Sequence, residues 1–198
     1  SIYNLMHAVG GLYGYFKGEL PEKFREVIES VRLDQDGGRL TVFKAANGAT
    51  IIADYAHEKV SLRTIAGLAK SIKQPEGKVI GVVRLAYDRS DSLIRETAEI
   101  IANNYDTVVV YDKIDGHFKH PKEIRGSLFK QEVGYTSSVL AEAIKEHNPN
   151  VDRIIREDEA VQRAAELVQP GDVVVIIVND DIKRSIGFIK ESFKAELA

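Results

Sequence analysis

The sequence predicts an α/β fold, a mostly parallel sheet with helices on both faces, one antiparallel hairpin strand, and a short helical segment ahead of it. Three observations lead there. Strand-like and helix-like segments alternate from residue 49 onward, and chains with that alternation build parallel sheets. The strand-like segments are near-continuous apolar runs, as expected of strands covered on both faces. A turn signal, Asn47-Gly48, separates two β-rich runs and predicts a hairpin.

Taken in order, residues 4–16 have a broad apolar helical face loosened by Gly10, Gly11 and Gly14. Residues 20–31 carry Phe24, Val27, Ile28 and Val31 at three-to-four spacing, with Pro21 at a first helical position. The period changes at Arg39: residues 39–44 and 49–53 form the hairpin. Helix is predicted over 60–72, where Leu62, Ile65, Ala66 and Ala69 are apolar, and a buried strand over 78–83. Residues 92–103 are the next helix, with Ser90 or Asp91 as N-cap. Residues 107–111 form a strand, the long stretch 112–134 is polar, and helix resumes by 138–146. Strands at 152–156 and 172–178 enclose a helix at 159–168, and a last helix runs from about 181 to 193. The expected division is a helical segment at 1–32 and a sheet domain at 33–198.

Composition narrows the function. Of 198 residues, 44% are hydrophobic and 29% charged, which is ordinary globular usage. A formal charge of −3 gives no long-range attraction to nucleic acid, so none is expected as a partner. The absence of cysteine excludes disulfides, a thiolate nucleophile and zinc–sulfur sites, and it suits a cytoplasmic setting. No apolar run approaches the roughly 20 residues that cross a bilayer, and residues 2–12 lack the basic start of a signal peptide. Membrane attachment is not expected.

In a parallel sheet every post-strand loop opens on one edge. Asp54 and His57, Arg84, Asp88 and Arg89, Asp112, Lys113 and Asp115, Arg156 and Asp158, and Asn179, Asp180 and Asp181 then converge. Mixed acids and bases there suit a phosphorylated or zwitterionic ligand, although polar loops are common to all such folds. The chain has no GxxxxGK[ST] phosphate loop, no GxSxG elbow and no HExxH. His117 and His120 are a loop pair without a third metal ligand.

Several passages resemble one family. The Asp54-Tyr55-Ala56-His57 stretch, the opening SIYNLMHAVGGLYGYF, Gly37–Phe43 (GGRLTVF), Val79–Asp91 (VIGVVRLAYDRSD) and Gln169–Asp181 (QPGDVVVIIVNDD) resemble the Mur ligases, in order and spacing. The match is to their C-terminal, glutamate ligase domain. Ile124-Arg125-Gly126 looks more like the loop of the cyanophycin-synthetase-like branch than like the peptidoglycan ligases. The resemblance implies a Rossmann-like sheet and an ATP-dependent carboxylate–amine ligase that works through an acyl phosphate. ATP and Mg2+ would be cofactors of the full-length enzyme, held largely by an upstream central ATP-binding domain of the same polypeptide. Residues 1–32 would be the helical tail of that domain plus a linker, and the start at Ser1 fits a piece of a longer chain.

By resemblance, Arg39, Asp54 and His57 face the nucleotide, and Arg84, Asp88, Arg89 and Arg125 lie nearer an amino-acid or peptide substrate. Chemically, an ionised Asp can accept from two ribose hydroxyls, and an arginine can grip a carboxylate bidentately. Read on their own, Asp54 is also a helix N-cap, His57 a helix-start residue, Arg39 a solvated hairpin residue, and the loop arginines solvated surface. Glu58-Lys59 stands where the family has Asn-Pro, and Leu85-Ala86 where its branch has Gly-Asp. These departures leave the substrate open, and with it a noncatalytic binding or oligomerisation module on the same sheet. A homo-oligomer is compatible with the sequence.

Overall fold

The computed structural model describes residues 2–19, 21–30, 38–113 and 133–198. It divides into two compact units, Ser1–Gly37 and Gly38–Ala198. The first holds helices α1 (Ile2–Tyr15) and α2 (Glu22–Ser30). Gly18 closes α1 in a left-handed conformation (φ 94°), its N–H reaching the Tyr13 carbonyl at 2.9 Å. The Phe16 and Phe24 rings meet at 5.4 Å.

The second unit is an α/β sheet domain. Its elements are β1 (Thr41–Lys44), β2 (Thr50–Asp54), α3 (Lys59–Ile72), β3 (Val79–Val83), α4 (Asp91–Ala102) and β4 (Thr107–Val110), followed by α5 (Tyr135–Lys145), β5 (Val151–Arg153), α6 (Glu157–Leu167), β6 (Val173–Ile177), α7 (Ile182–Phe193) and β7 (Glu196–Leu197). The sheet order is β5-β4-β3-β6-β2-β1-β7. β5, β4, β3, β6 and β2 are mutually parallel. β1 runs antiparallel to β2, with Thr41 opposite Ala53 and Lys44 opposite Thr50.

The hairpin forms where the Asn47-Gly48 signal lies. Gly48 takes φ 88°, and the Asn47 side chain accepts the Ala49 N–H at 3.0 Å, a local turn that only such residues make readily. β1 has a further antiparallel partner outside it, β7. β7 carries no apolar run of its own; it forms because Lys194 turns the chain at φ 47° after α7 and lays the last residues along β1. The strand expected at 152–156 is shorter, since Arg156 already serves as the N-cap of α6.

Both faces of the sheet are covered. One layer packs Leu62, Ile65 and Ala69 of α3, Ile94 and Ile101 of α4 and Leu140 of α5 against Ile52, Val79, Val108 and Val175. The other packs Val161 and Ala164 of α6 and Ile186, Ile189 and Phe193 of α7 against Ile51, Ile80, Val109 and Val174. Every residue of β3 and β6 is buried, which explains their unbroken apolar sequence. Each fully buried Val or Ile adds about 1.5–3 kcal/mol. Gly81 in β3 is required by this packing, for a Cβ there would lie 2.8 Å from the Tyr105 ring.

β6 lies between β2 and β3, although it follows both in sequence. The chain leaving β2 enters α3 on one face, and the chain leaving β6 enters α7 on the other. Divergence of two neighbouring strands at their carboxyl ends opens a crevice there, the place where open α/β sheets hold ligands.

Candidate functional site

The crevice is built from the exits of β2 and β6, with the exits of β3 and β4 beside them. Asp54 ends β2 half-buried, and its Oδ2 accepts the Leu40 N–H at 2.7 Å. Leu40 holds φ 51°, a strained conformation for a branched side chain, and the bond to Asp54 helps to hold it. Burial pushes the Asp54 carboxyl above its usual value, while the Leu40 N–H, the Arg39 charge, the Ala56 N–H and His57 pull it back. Asp54 is therefore not an N-cap. The N-cap of α3 is Glu58, whose N–H donates to the Ser61 hydroxyl at 3.2 Å.

Tyr55 turns the other way from Asp54, as successive strand residues do. Two guanidiniums approach its ring, Arg39 at 5.5 Å and Arg84 at 5.0 Å from the centroid. Its hydroxyl donates to Asp180 Oδ1, and Asp180 Oδ2 pairs with Lys113 Nζ at 2.8 Å. Burial would raise the Asp180 carboxyl, yet Lys113, Tyr55 and the Arg84 charge together hold it below the ordinary aspartate value.

The His57 ring stands edge-on to Tyr55 at 5.4 Å, with Nδ1 3.0 Å from the Tyr55 carbonyl. A carbonyl only accepts, so Nδ1 carries the hydrogen and the neutral ring offers Nε2 as an acceptor. Nε2 lies 3.8 Å from Glu58, whose carboxylate also pairs with Arg89 at 2.5 Å.

The structure thus brings Arg39, Asp54 and His57 together at one edge, with Glu58–Arg89 beside His57. Arg84 is placed differently from the expectation of an open, substrate-facing guanidinium. It is 1% exposed, lies beneath Tyr55 and donates to the Val178 carbonyl at 2.8 Å. Asp88 is exposed on the β3–α4 loop. Arg125 lies outside the described residues, as do Asp115, His117 and His120.

Under the crevice runs a buried polar layer. The Tyr111 hydroxyl donates to the Ile177 carbonyl at 2.6 Å, and the Ser185 hydroxyl and the Asn179 N–H both donate to Glu157 Oε1. Burial first, and then the Glu157 charge, push the Tyr111 hydroxyl far above its ordinary value, so it stays a neutral donor. These bonds fix the exit of β6 from below. Among the described residues, no group of three His, Asp or Glu side chains could hold a metal ion. A surface groove of about 360 Å³ lies elsewhere, between α3 and α4, lined by Lys59, Arg63, Glu96 and Asn103 among others.

Sequence reasoning flagged Asp54, His57 and Arg39 but passed over Tyr55, which sits inside the same quoted stretch. The available signal was its position: an aromatic at a strand end, opposite in facing to a carboxylate, at the mouth of a sheet.

The family described as "Mur ligase, glutamate ligase domain" matches residues 38–177, which include Arg39, Asp54, Tyr55 and His57 and stop at the end of β6, before Asp180. Cyanophycin synthetase of Synechocystis sp. is 26% identical over 159 residues, 79% of this chain and 16% of that protein. The UDP-N-acetylmuramoyl-L-alanyl-D-glutamate–L-lysine ligase of Streptococcus sanguinis is 24% identical over 176 residues, 88% of this chain and 32% of its own length. The chain therefore spans a third or less of these curated relatives. Among solved structures, the folylpolyglutamate synthase of Mycobacterium tuberculosis complexed with ADP has a TM-score of 0.54 at 18% identity, covering 94% of this chain and 38% of that one. That likeness is one of fold.

Proposed function

This chain belongs to the Mur ligase family as a glutamate ligase domain, and from that premise we propose that it is the C-terminal domain of an ATP-dependent carboxylate–amine ligase. The observation that carries the reading is the gathering of Arg39, Asp54 and His57 around Tyr55 at the sheet's switch point, inside the matched residues. In the proposed reaction a substrate carboxylate oxygen attacks the γ-phosphorus of ATP, and the bond to the β-phosphate oxygen breaks to release ADP. The amine nitrogen of an amino acid or peptide then attacks the acyl carbon, phosphate leaves, and the nitrogen gives up a proton to form the amide. Phosphoryl transfer of this kind depends on positioning and charge stabilisation more than on covalent help from the protein.

This chain's part is positioning. Asp54 spends Oδ2 on Leu40 and keeps acceptor capacity for ribose hydroxyls. Arg39, exposed over the Tyr55 ring, can reach ribose or phosphate oxygens, and His57 presents Nε2 beside them. Arg89 and Asp88 stand nearer the amino-acid side, with Arg125 on the long segment that follows β4. The described residues contain no group of three His, Asp or Glu side chains for a metal ion. On this reading the phosphates and their metal belong to an upstream central ATP-binding domain of the same polypeptide, in a cytoplasmic enzyme. The described residues contain no helix long and apolar enough to cross a membrane.

Within the family, the cyanophycin-synthetase-like branch is our preferred placement. It rests on the 26% identity to that enzyme together with the Ile124-Arg125-Gly126 loop, against 24% for the lysine ligase. The internal commitment of Arg84 and the Arg89–Glu58 pair favour the alternative of a noncatalytic binding or oligomerisation module. One experiment separates them. In the longer polypeptide that carries this chain, Asp54→Ala or His57→Ala should lower ligation about tenfold to a thousandfold, whereas Lys59→Ala, which removes only an exposed pair with Glu96, should leave it unchanged. Full ligation by Asp54→Ala and His57→Ala would refute the catalytic reading.

A further inference from the structure

The two carboxylate oxygens of Asp180 are held by two different strand exits. Oδ1 takes the hydroxyl of Tyr55 after β2, and Oδ2 takes the ammonium of Lys113 after β4, while Asp180 itself follows β6. The Lys113 side chain is only 14% exposed, so its pairing is better shielded than a surface bridge, although Asp180 is 57% exposed. Tyr55 is the ring on which Arg39 stacks, and its backbone carbonyl holds His57. Lys113 precedes, in the sequence, the segment that carries Arg125.

We infer that Asp180 is a positioning residue that braces the nucleotide-facing β2 exit against the β4 exit on the amino-acid side, keeping Arg39 and His57 in register for ATP. The inference rests on the ligase reading for its kinetic consequence but not for its geometry. Asp180 touches no reacting atom. It acts by removing the freedom of three loops to shift against one another, and pre-organisation of this kind is felt as binding rather than as chemistry. The Tyr55 hydroxyl is central to it. A phenylalanine would keep a ring for the two arginines and lose only the tie to Asp180.

The test uses the longer polypeptide that contains this chain, with Asp180→Ala, Asp180→Asn, Tyr55→Phe and the Tyr55→Phe/Asp180→Ala pair. Asp180→Ala should raise the KM for ATP about tenfold, as loss of a charge-assisted bond does, while kcat changes by less than about threefold. Asp180→Asn keeps an acceptor for Tyr55 and should recover part of the loss. The double variant should be no worse than Asp180→Ala alone, because both changes cut one tie. A wild-type KM for ATP in Asp180→Ala, or strictly additive effects of the two substitutions, would overturn the brace. Amide exchange in the 198-residue chain decides the geometry without any activity. Asp180→Ala should speed exchange at residues 55–57 and 111–113 and leave β3 and β6 as they were; unchanged exchange at those loops overturns the proposal. If the wild-type polypeptide makes no amide, the ligase reading and its kinetic consequence fall, and the exchange result alone decides whether Asp180 ties the loops.

Discussion

Replacing Asp172 should cost stability and spare chemistry. Asp172 opens β6, 4% exposed, and its carboxylate spans two turns: Oδ1 accepts the Lys78 N–H and Oδ2 the Gln169 N–H, each at 2.7 Å. The backbone repeats the link, with Gln74 N–H donating to the Gly171 carbonyl at 3.0 Å and Val173 N–H to the Lys78 carbonyl at 2.9 Å. A hydrogen bond to a charged acceptor contributes about 1.5–3 kcal/mol. Both N–H groups are only part-buried, so water recovers some of the loss and the lower end applies to each. Asp172→Ala should therefore cost about 3 kcal/mol, and Asp172→Asn, which keeps one carbonyl oxygen, about half of that. For a domain of this size the alanine variant should melt about 6–12 °C lower. Far-UV circular dichroism during thermal and urea unfolding reads the change in a chain without tryptophan. Asp172 lies at the amino ends of β3 and β6, opposite the crevice, so ligation per folded molecule should be unchanged. A stability loss under about 0.5 kcal/mol in Asp172→Ala, equal losses for Asn and Ala, or reduced turnover well below the melting point would refute the reasoning.

Asp54 and Asp180 should move stability with pH in opposite senses. The raised carboxyl of Asp54 adds stability that is present below its unfolded value near 3.8 and is lost as pH rises through its folded value. Asp54→Asn should accordingly gain on the wild type as pH climbs above that point. The lowered carboxyl of Asp180 adds stability that is present above 3.8 and fades as pH falls through its folded value, so Asp180→Asn should lose its deficit in acid; urea titrations from acid to neutral pH check both. Gly81→Ala should destabilise by about 1–3 kcal/mol through overpacking against Tyr105. Tyr105→Leu in the same chain should recover much of that by clearing the space, and simple additivity of the two losses in urea melts would contradict the contact. Residues 1–198 alone should not turn over ATP, because the proposed role of the crevice is limited to ribose and loop contacts and the sequence has no GxxxxGK[ST] phosphate loop; robust turnover free of contaminating ATPase would reverse the division of labour proposed here.

What the residues determine by themselves is the kind of layer each segment can join. Val79–Val83 and Val173–Ile177 are apolar without alternation, and such a strand has no solvent face to offer, so burial between two helical layers follows from composition. Leu62, Ile65, Ala66 and Ala69 mark the inner face of α3 by spacing alone, and Asn47-Gly48 marks the hairpin by the backbone freedom of its residues. Asp54 and His57 were legible as candidate site residues because polar groups after a buried strand reach the open edge, whereas Arg39, which precedes β1, came only from the family resemblance. Strand order was not legible. Nothing local places β6 between β2 and β3, because that choice depends on which face each crossover helix covers. The same holds for the partners that set each side chain's role. Tyr55 meets Asp180 across 125 positions, and Arg84 meets the Val178 carbonyl across 94, a bond that buries its guanidinium beneath the crevice. A strand-end residue announces the edge it will reach, but its charge can be spent on a ligand or on a neighbouring loop. That is decided only when the tertiary packing brings the loop within hydrogen-bonding distance.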